Sequence, residues 1–176
     1  MNLRQQVMEG ARWIARAASN VSIDRFPMRS AFIEHAADEH KDYQMIERDY
    51  CALGGTMEEM TSTPKNVGSE ALSSFLFHHA SQPDPVDLLG AMFVIEGLGK
   101  RKAAEWAARL RKALRLRDDQ VSFLSYHGRN DDVHFDKLRN AIQSAFMDRT
   151  AVERIVKTAK VTARLYVLQL EELDHF

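Results

Sequence analysis

Residues 121–134 read VSFLSYHGRNDDVH and carry three polar groups at helical spacing. His127, Asp131 and His134 are offset by four and three residues, which places all three on one face of a helix. The same face carries apolar residues before and after them, namely Phe123, Leu124, Leu138 and Ile142. An apolar face is expected to be buried, so these three groups point towards a core in which polar side chains need a partner.

The three groups allow two interpretations. Imidazole and carboxylate are ligands for first-row transition metals, and three of them in register can close on one cation or bridge two. The alternative is a pair of core histidines that hydrogen-bond to Asp131 at a half-buried helix start. Three groups in register favour metal ligands over the purely structural arrangement.

The rest of the chain predicts helices nearly throughout. Apolar residues recur every three or four positions, and no segment alternates as a strand would. The predicted helices cover residues 2–19, 24–53, 84–114 and 118–147, with a short one from Ser69 and a last one from Asp148 or Thr150. Gly128 is a point at which the helix over 118–147 can break, and residues 56–68 are predicted to be a loop. The sequence therefore predicts an all-α fold with residues 1–176 in a single domain.

The composition excludes several classes of protein. Of 176 residues, 45% are hydrophobic and 28% are charged, which is typical of a globular chain with a core. A net charge of −1 without a basic run argues against a nucleic-acid partner. No stretch approaches the apolar length that spans a bilayer, so no membrane partner is expected. Cys51 is the single cysteine, which excludes an internal disulfide and fits a cytoplasmic protein.

Glu96 is a second candidate site residue because it lies in the apolar run AMFVIEGLG. An unpaired ionised glutamate there would cost several kcal/mol, so Glu96 has a partner or stays protonated. An ion pair with Arg101, Lys102 or a base from another helix is as well supported as a metal. Gly97 and Gly99 weaken a helix interior by about 1 kcal/mol each, which suggests that another helix or a flat ligand approaches closely here.

A third set consists of His35, Glu39 and Asp42. Their offsets of four and seven residues again define one helical face. This helix is rich in charge, so a solvated face is the alternative explanation. His40 is a rival to Asp42 as a ligand, one step round the helix.

These three motifs together resemble a known superfamily. Residues 121–134 resemble the third-helix His-x-x-x-Asp-x-x-His motif of the heme-oxygenase-like diiron oxidases, which supplies metal ligands. The segment MFVIEG at 92–97 resembles the Tyr-Val-x-Glu-Gly segment of the same superfamily, in which the glutamate is a ligand. The segment HAADEHKD at 35–42, followed by Asp49 and by Leu53 and Gly54, resembles its acidic helix ending in Leu-Gly. The similarity spans about residues 31–138 and keeps the order of the motifs.

The resemblance implies a fold of about seven helices around a central pocket, often in a homodimer. It also implies a non-heme iron oxidoreductase, with two irons, that activates dioxygen and acts on a small, mostly apolar substrate. The ligands implied are Glu96, His127, Asp131 and His134, with His35, Glu39 or Asp42 completing the second position. Manganese uses similar ligands and fits the same set. The superfamily also includes thiaminase-like, pyrroloquinoline-quinone-synthase-like and heme-degrading members. The chain lacks the longer glycine-rich segment and the early proximal histidine expected for heme degradation.

The chain departs from the family pattern at Asp42, where relatives usually place a histidine. Imidazole binds mid-series divalent metals more tightly than carboxylate, so a weak second metal is expected.

Two other functions remain open on the sequence alone. One is a binding or regulatory domain that kept the fold without the chemistry. The other is a cofactor-independent enzyme in which Glu96 acts as an acid or base near His127 and His134.

Overall fold

Helices make up most of the chain. The computed structural model describes residues 1–143 and 148–173, and of residues 130–134 it describes the backbone only. Within these residues there are nine α-helices and no strand, which confirms the all-α prediction. The α-helices are α1 (Asn2–Asn20), α2 (Phe26–Glu39), α3 (Tyr43–Ala52), α4 (Met57–Ser62), α5 (Val67–Ala80), α6 (Leu88–Leu98), α7 (Ala104–Leu114), α8 (Ser122–Ile142) and α9 (Arg149–Glu171). Two 3-10 turns (Ile23–Arg25 and Asp118–Gln120) and one π-helix (Gly99–Ala103) complete the set. None of the described helices is both long and apolar enough to cross a membrane.

Three predictions in the first half of the chain were wrong. The helix expected over 24–53 is divided into α2 and α3 by a turn at residues 40–42. The loop expected over 56–68 contains α4, which a capping box starts: the Thr56 hydroxyl accepts from the Glu59 N–H, and the Glu59 carboxylate accepts from the Thr56 N–H. Helix α5 begins before Ser69, because Asn66 caps it by accepting from the Ser69 N–H at 2.8 Å.

The second half follows its predictions more closely. The helix expected over 84–114 begins at Leu88 and is interrupted by the π-helix, in which the backbone accommodates an extra residue per turn. Helix α8 runs through Gly128 without a break. Of the two residues predicted to cap α9, the cap is Asp148, whose side chain accepts a hydrogen bond from the Ala151 N–H at 2.7 Å.

The helices pack around a core and a cavity. Helix α1 contacts α2 and α5, α9 contacts α5 and α6, and α8 contacts α6, the π-helix and α7. Buried apolar side chains of α1, α2, α5, α6 and α9 form the core, among them Trp13, Ile14, Phe32, Leu72, Leu76, Leu88, Leu89 and Ile155. A cavity of about 590 Å³ is lined by residues of α1, α2, α6, the π-helix, α7, α8 and α9. This cavity corresponds to the central pocket that the family resemblance implies.

Candidate metal site

Five of the predicted site residues lie together beside the cavity. His35 and Glu39 stand one turn apart on α2, Asp42 lies in the turn that follows, Glu96 is on α6 and His127 is on α8. The His35 Nε2 atom lies 3.2 Å from the Glu96 Oε1 atom, and the His127 Nε2 atom lies 3.3 Å from the Asp42 Oδ2 atom. All except Asp42 line the cavity wall. Residues far apart in the sequence are thus brought into one group, called the carboxylate–histidine group below.

The carboxylate–histidine group divides into two overlapping sets of three. One set is His35, Glu39 and Glu96, and the other is Glu39, Asp42 and His127. Within each set, one ligand atom per residue lies within 4.8 Å of the others. Glu39 belongs to both sets, which is the arrangement expected of a carboxylate that bridges two ions.

The donor chemistry fits divalent iron or manganese. Imidazole nitrogen and carboxylate oxygen are the ligands that these ions share. Two ligand atoms bound about 2.1 Å from one ion at right angles would lie about 3 Å apart. The separations of 3.2 Å and 3.3 Å between imidazole and carboxylate atoms agree with that value. The residues present therefore fit a metal ion in each set.

The electrostatics of the group also favour a cation. Glu96 is 6% exposed, His35 and His127 are each 8% exposed, and both Glu39 and Asp42 are half-buried. The group contains three carboxylates and no lysine or arginine among its own members. Like charges held close together in a poorly solvated place repel one another, and a divalent cation would offset that repulsion.

Of the bases considered as partners of Glu96, the one beside it comes from another helix and is His35 of α2. The Glu96 carboxylate lies beside the His35 ring, whereas the Lys102 ammonium binds Glu105 at 2.9 Å. The contact expected at Gly97 is less close than predicted, because an added Cβ would lie 3.4 Å from a carbon of the Phe135 ring.

His40, the alternative ligand to Asp42, is exposed, and its Nδ1 atom lies 2.6 Å from the carbonyl oxygen of Ala37.

Asp49 positions the start of α8, a role that the sequence did not indicate. Its carboxylate accepts hydrogen bonds from the Phe123 N–H at 2.9 Å and from the Ser122 hydroxyl. His127 follows one turn later, and its ring lies 4.4 Å from the ring of Phe123, measured between centroids. A carboxylate from α3 thus satisfies one of the free N–H groups at the start of α8 and helps to fix where His127 lies.

Gly128 brings α8 close to the beginning of α7. A Cβ at this position would lie 2.7 Å from the backbone nitrogen of Ala104, a distance that real side chains do not reach. Glycine is therefore required for the contact that holds the neighbouring His127 at the cavity. The other two residues of this motif, Asp131 and His134, lie outside the described residues as far as their side chains are concerned.

The cavity walls are mainly apolar. The apolar lining includes Trp13, Ile14, Met92, Ile95, Trp106 and Leu124. Three polar lining residues, Gln6, Tyr166 and Gln169, lie on α1 and α9 and were not predicted from the sequence. A mostly apolar cavity next to a group of metal-type ligands can hold an organic molecule close to bound metal.

The arrangement of helices defines an all-α protein with the heme-oxygenase-like fold. The chain is similar to the crystal structure of a domain of unknown function with this fold from Shewanella denitrificans OS217. The two share 17% sequence identity with a TM-score of 0.89, and the match covers 97% of this chain and 73% of the other. The likeness confirms the predicted superfamily fold.

The chain belongs to a family of iron-containing redox enzymes, whose profile matches residues 3–167. The match includes all three motifs identified in the sequence and supports a general redox role. Among curated proteins, none matches this chain significantly.

Proposed function

We propose that this protein is a non-heme iron oxidoreductase that binds two ions in the carboxylate–histidine group. The observation that carries the proposal is Glu39, which belongs to both sets of candidate ligands. Membership of an iron-containing redox family supports iron over other metals. His35 and Glu96 would hold one ion and Asp42 and His127 the other, with the Glu39 carboxylate between them.

The oxidant in this proposal is dioxygen, and the substrate is a small, mostly apolar organic molecule. When bound, two ferrous ions would supply electrons for the reduction of dioxygen. The protein's own contribution is to hold the ligands in place and to provide a cavity with apolar walls that exclude water from the substrate. Asp131 and His134 stay predicted ligands on the evidence of the sequence motif.

An anaerobic titration with ferrous iron tests the number of ions. We expect two per chain in the parent protein, and a loss of at least one in Glu39→Gln, which keeps the side-chain size but removes the bridging charge. Glu34→Gln is the matched control, because Glu34 is on the same helix but its side chain is 61% exposed and binds Lys137. Binding of a single ion would indicate a mononuclear enzyme, and binding of none would indicate a domain without metal chemistry. Equal stoichiometry in Glu39→Gln and the parent would exclude the bridge.

The two ions are not expected to bind equally well. The set that contains Asp42 has one imidazole where relatives are expected to have two, and carboxylate is the poorer match for ferrous iron. Asp42→His should therefore raise the affinity for the second ion in the same titration. An affinity equal to that of the parent would show that Asp42 is not a ligand.

A further inference from the structure

The cavity opens to solvent on one side of the molecule. Five of its described lining residues are exposed, namely Arg109, Leu110 and Ala113 on α7 and Leu170 and Leu173 at the end of α9. Leu110 and Leu170 are each 40% exposed and Leu173 is 55% exposed, so these side chains meet both the cavity and the solvent. The opening therefore lies between the second half of α7 and the end of α9, and leucines form most of its rim.

The second half of α7 brings positive charge to this opening. Residues 106–117 (WAARLRKALRLR) contain five lysine or arginine residues and no acidic residue, in a chain whose net charge is −1. Three of the five pair with a carboxylate nearby in the sequence, and the pairs are Arg109–Glu105 at 3.7 Å, Arg111–Asp118 at 2.8 Å and Arg117–Asp119 at 3.0 Å. Lys112 and Arg115 are exposed and form no ion pair within the part of the chain that the structure describes. Two positive charges beside the opening are thus uncompensated.

Cations and leucines run side by side along this part of α7. Lys112 lies one turn after Arg109, and Leu114 lies one turn after Leu110, so each pair shares a strip of the helix surface. Leu114 is 62% exposed and lies outside the cavity wall. The apolar rim therefore continues along α7 beyond the residues that line the cavity.

The end of α9 adds leucines to the rim without adding negative charge on the same strip. Leu170 and Leu173 are three residues apart, which places them on one side of the helix. Glu171 is turned by about 100° from Leu170 round the helix, and Glu172 is half-buried. The opening is thus bordered by exposed leucines on both helices and by uncompensated cations on α7.

This combination is typical of a surface that contacts an anionic membrane. Exposed leucines enter the boundary between lipid headgroups and acyl chains, and neighbouring lysines and arginines bind anionic headgroups. A second copy of the chain fits less well, because a twofold dimer would place this positive patch against the same patch of its partner. Contact with a membrane surface needs no segment that spans the bilayer, and the lack of such a segment was the reason for expecting no membrane partner.

We propose that residues 109–115 of α7, together with Leu170 and Leu173, form a docking surface for an anionic lipid bilayer. In this arrangement the leucines enter the membrane surface, while Lys112 and Arg115 bind anionic headgroups. The cavity then opens onto the acyl chains, in which apolar molecules dissolve. That such a molecule is the substrate rests on the proposed redox function, whereas docking does not require iron.

Sedimentation of the purified chain with lipid vesicles tests the docking. One set of vesicles contains phosphatidylcholine alone, and the other also contains phosphatidylserine, which is anionic. We expect the chain to sediment with the second set and to stay in the supernatant with the first, because the uncompensated cations supply much of the attraction. Raising the salt concentration should release the chain, since salt screens charges on an exposed surface.

Two substitutions assign the binding to the cations and to the leucines. Lys112→Glu should weaken binding to the anionic vesicles by roughly thirtyfold, since it removes one attractive charge and adds a repulsive one. Lys157→Glu is the matched control, because Lys157 is an exposed residue of α9 about 20 Å before Leu170, and this variant should bind as the parent does. Leu114→Ser should weaken binding by roughly tenfold without changing the cavity wall. Circular dichroism checks that the helices of each variant are intact.

Several results would overturn the docking surface. They are no sedimentation with the anionic vesicles, equal sedimentation with both sets, and undiminished binding in folded Lys112→Glu or Leu114→Ser. A dimer in size-exclusion chromatography that Leu114→Ser separates would assign the surface to a second copy, and tighter binding of soluble poly-glutamate than of the vesicles would assign it to an acidic protein. The iron titration decides the proposed function separately. Docking by a chain that binds no iron would retain the membrane surface and remove the redox role, and the opposite result would do the reverse.

Discussion

The two ends of α6 each have a buried carboxylate, but the charged groups around the two carboxylates differ. At the first end, Asp87 accepts from the Arg154 guanidinium at 2.8 Å and from the Thr158 hydroxyl at 3.2 Å, and it lies 2.5 Å from the Nδ1 atom of His79. At the other end, Glu96 lies 3.2 Å from the His35 ring in a group with two further carboxylates. The same helix therefore carries one carboxylate bound to a guanidinium and one placed beside a histidine and two other carboxylates.

This difference separates a structural role for Asp87 from the functional role that we propose for Glu96. A buried carboxylate bound to a guanidinium is already compensated and adds to stability when its partners stay in place. A carboxylate among other carboxylates lowers stability until a cation binds. The first end of α6 is thus an anchor to α9, and the second end belongs to the metal site that we propose.

The largest effect is expected from Gly90→Ala at the anchored end. A Cβ on Gly90 would lie 2.1 Å from the carbonyl oxygen of Ile155, which belongs to the backbone of α9 and cannot move alone. Separating the two helices should cost about 3 kcal/mol of unfolding free energy, equivalent to a fall in Tm of roughly 6–12 °C. Thermal denaturation measures it, and a Tm within 2 °C of the parent, on the order of the shift for less than 1 kcal/mol, would show that the anchor is not tight.

Asp87→Asn should have the next largest effect. The change keeps the shape of the side chain but removes the charge that the Arg154 guanidinium binds. The loss of a charge-assisted hydrogen bond predicts a decrease of about 2 kcal/mol in the free energy of unfolding, measured by urea denaturation. An unchanged midpoint would mean that Asp87 is not the balanced carboxylate described here.

The corresponding change at the other end, Glu96→Gln, should have the opposite sign. In the presence of a chelator, removing one of three like charges is expected to raise the free energy of unfolding by about 1 kcal/mol or less. With ferrous iron under anaerobic conditions, the parent should gain more stability than the variant, because a ligand that binds only the folded state stabilises it. A destabilised metal-free variant would contradict the comparison, since Glu96 would then be structural as Asp87 is.

The smallest effect is expected from Gly97→Ala. The added Cβ meets a carbon of the Phe135 ring at 3.4 Å, and a side chain can shift where a backbone cannot. Replacing glycine within a helix should then stabilise the protein by about 0.5 kcal/mol. A loss comparable to that of Gly90→Ala would show that both ends of α6 are equally constrained.

The sequence predicted the helices well because their apolar residues follow the helical period. It did not predict the turn after Glu39, since residues 40–42 (HKD) include neither glycine nor proline. Nor did it predict the π-helix, because Gly99–Ala103 has no local propensity that distinguishes a π-turn from an α-turn. Close approach of another helix or a ligand was expected at Gly97 and Gly99. At Gly97 the nearest atom belongs to the Phe135 ring of α8, whereas backbone-to-backbone contact occurs at Gly90, where the partner helix is remote in the sequence.

The candidate site was predictable where its residues lie at helical spacing on one helix or within an apolar run. The offset between His35 and Glu39 and the apolar surroundings of Glu96 both marked residues that the fold brings together. The polar lining residues Gln6, Tyr166 and Gln169 could not be predicted in this way. About 160 positions separate Gln6 from the other two, and glutamine is common on exposed helix faces.

The π-helix lets the chain hold one more residue between α6 and α7 without turning α7 away from the cavity. Each residue of an α-helix advances the side-chain direction by about 100°. An extra residue in a regular α-helix would therefore rotate Trp106 and Leu110 out of the lining, whereas the wider turn over Gly99–Ala103 takes that residue up. Removing one residue from this turn should restore an ordinary α-turn and leave both side chains facing the same cavity as Glu96. A change of one residue in the length of this segment is therefore compatible with the same cavity lining.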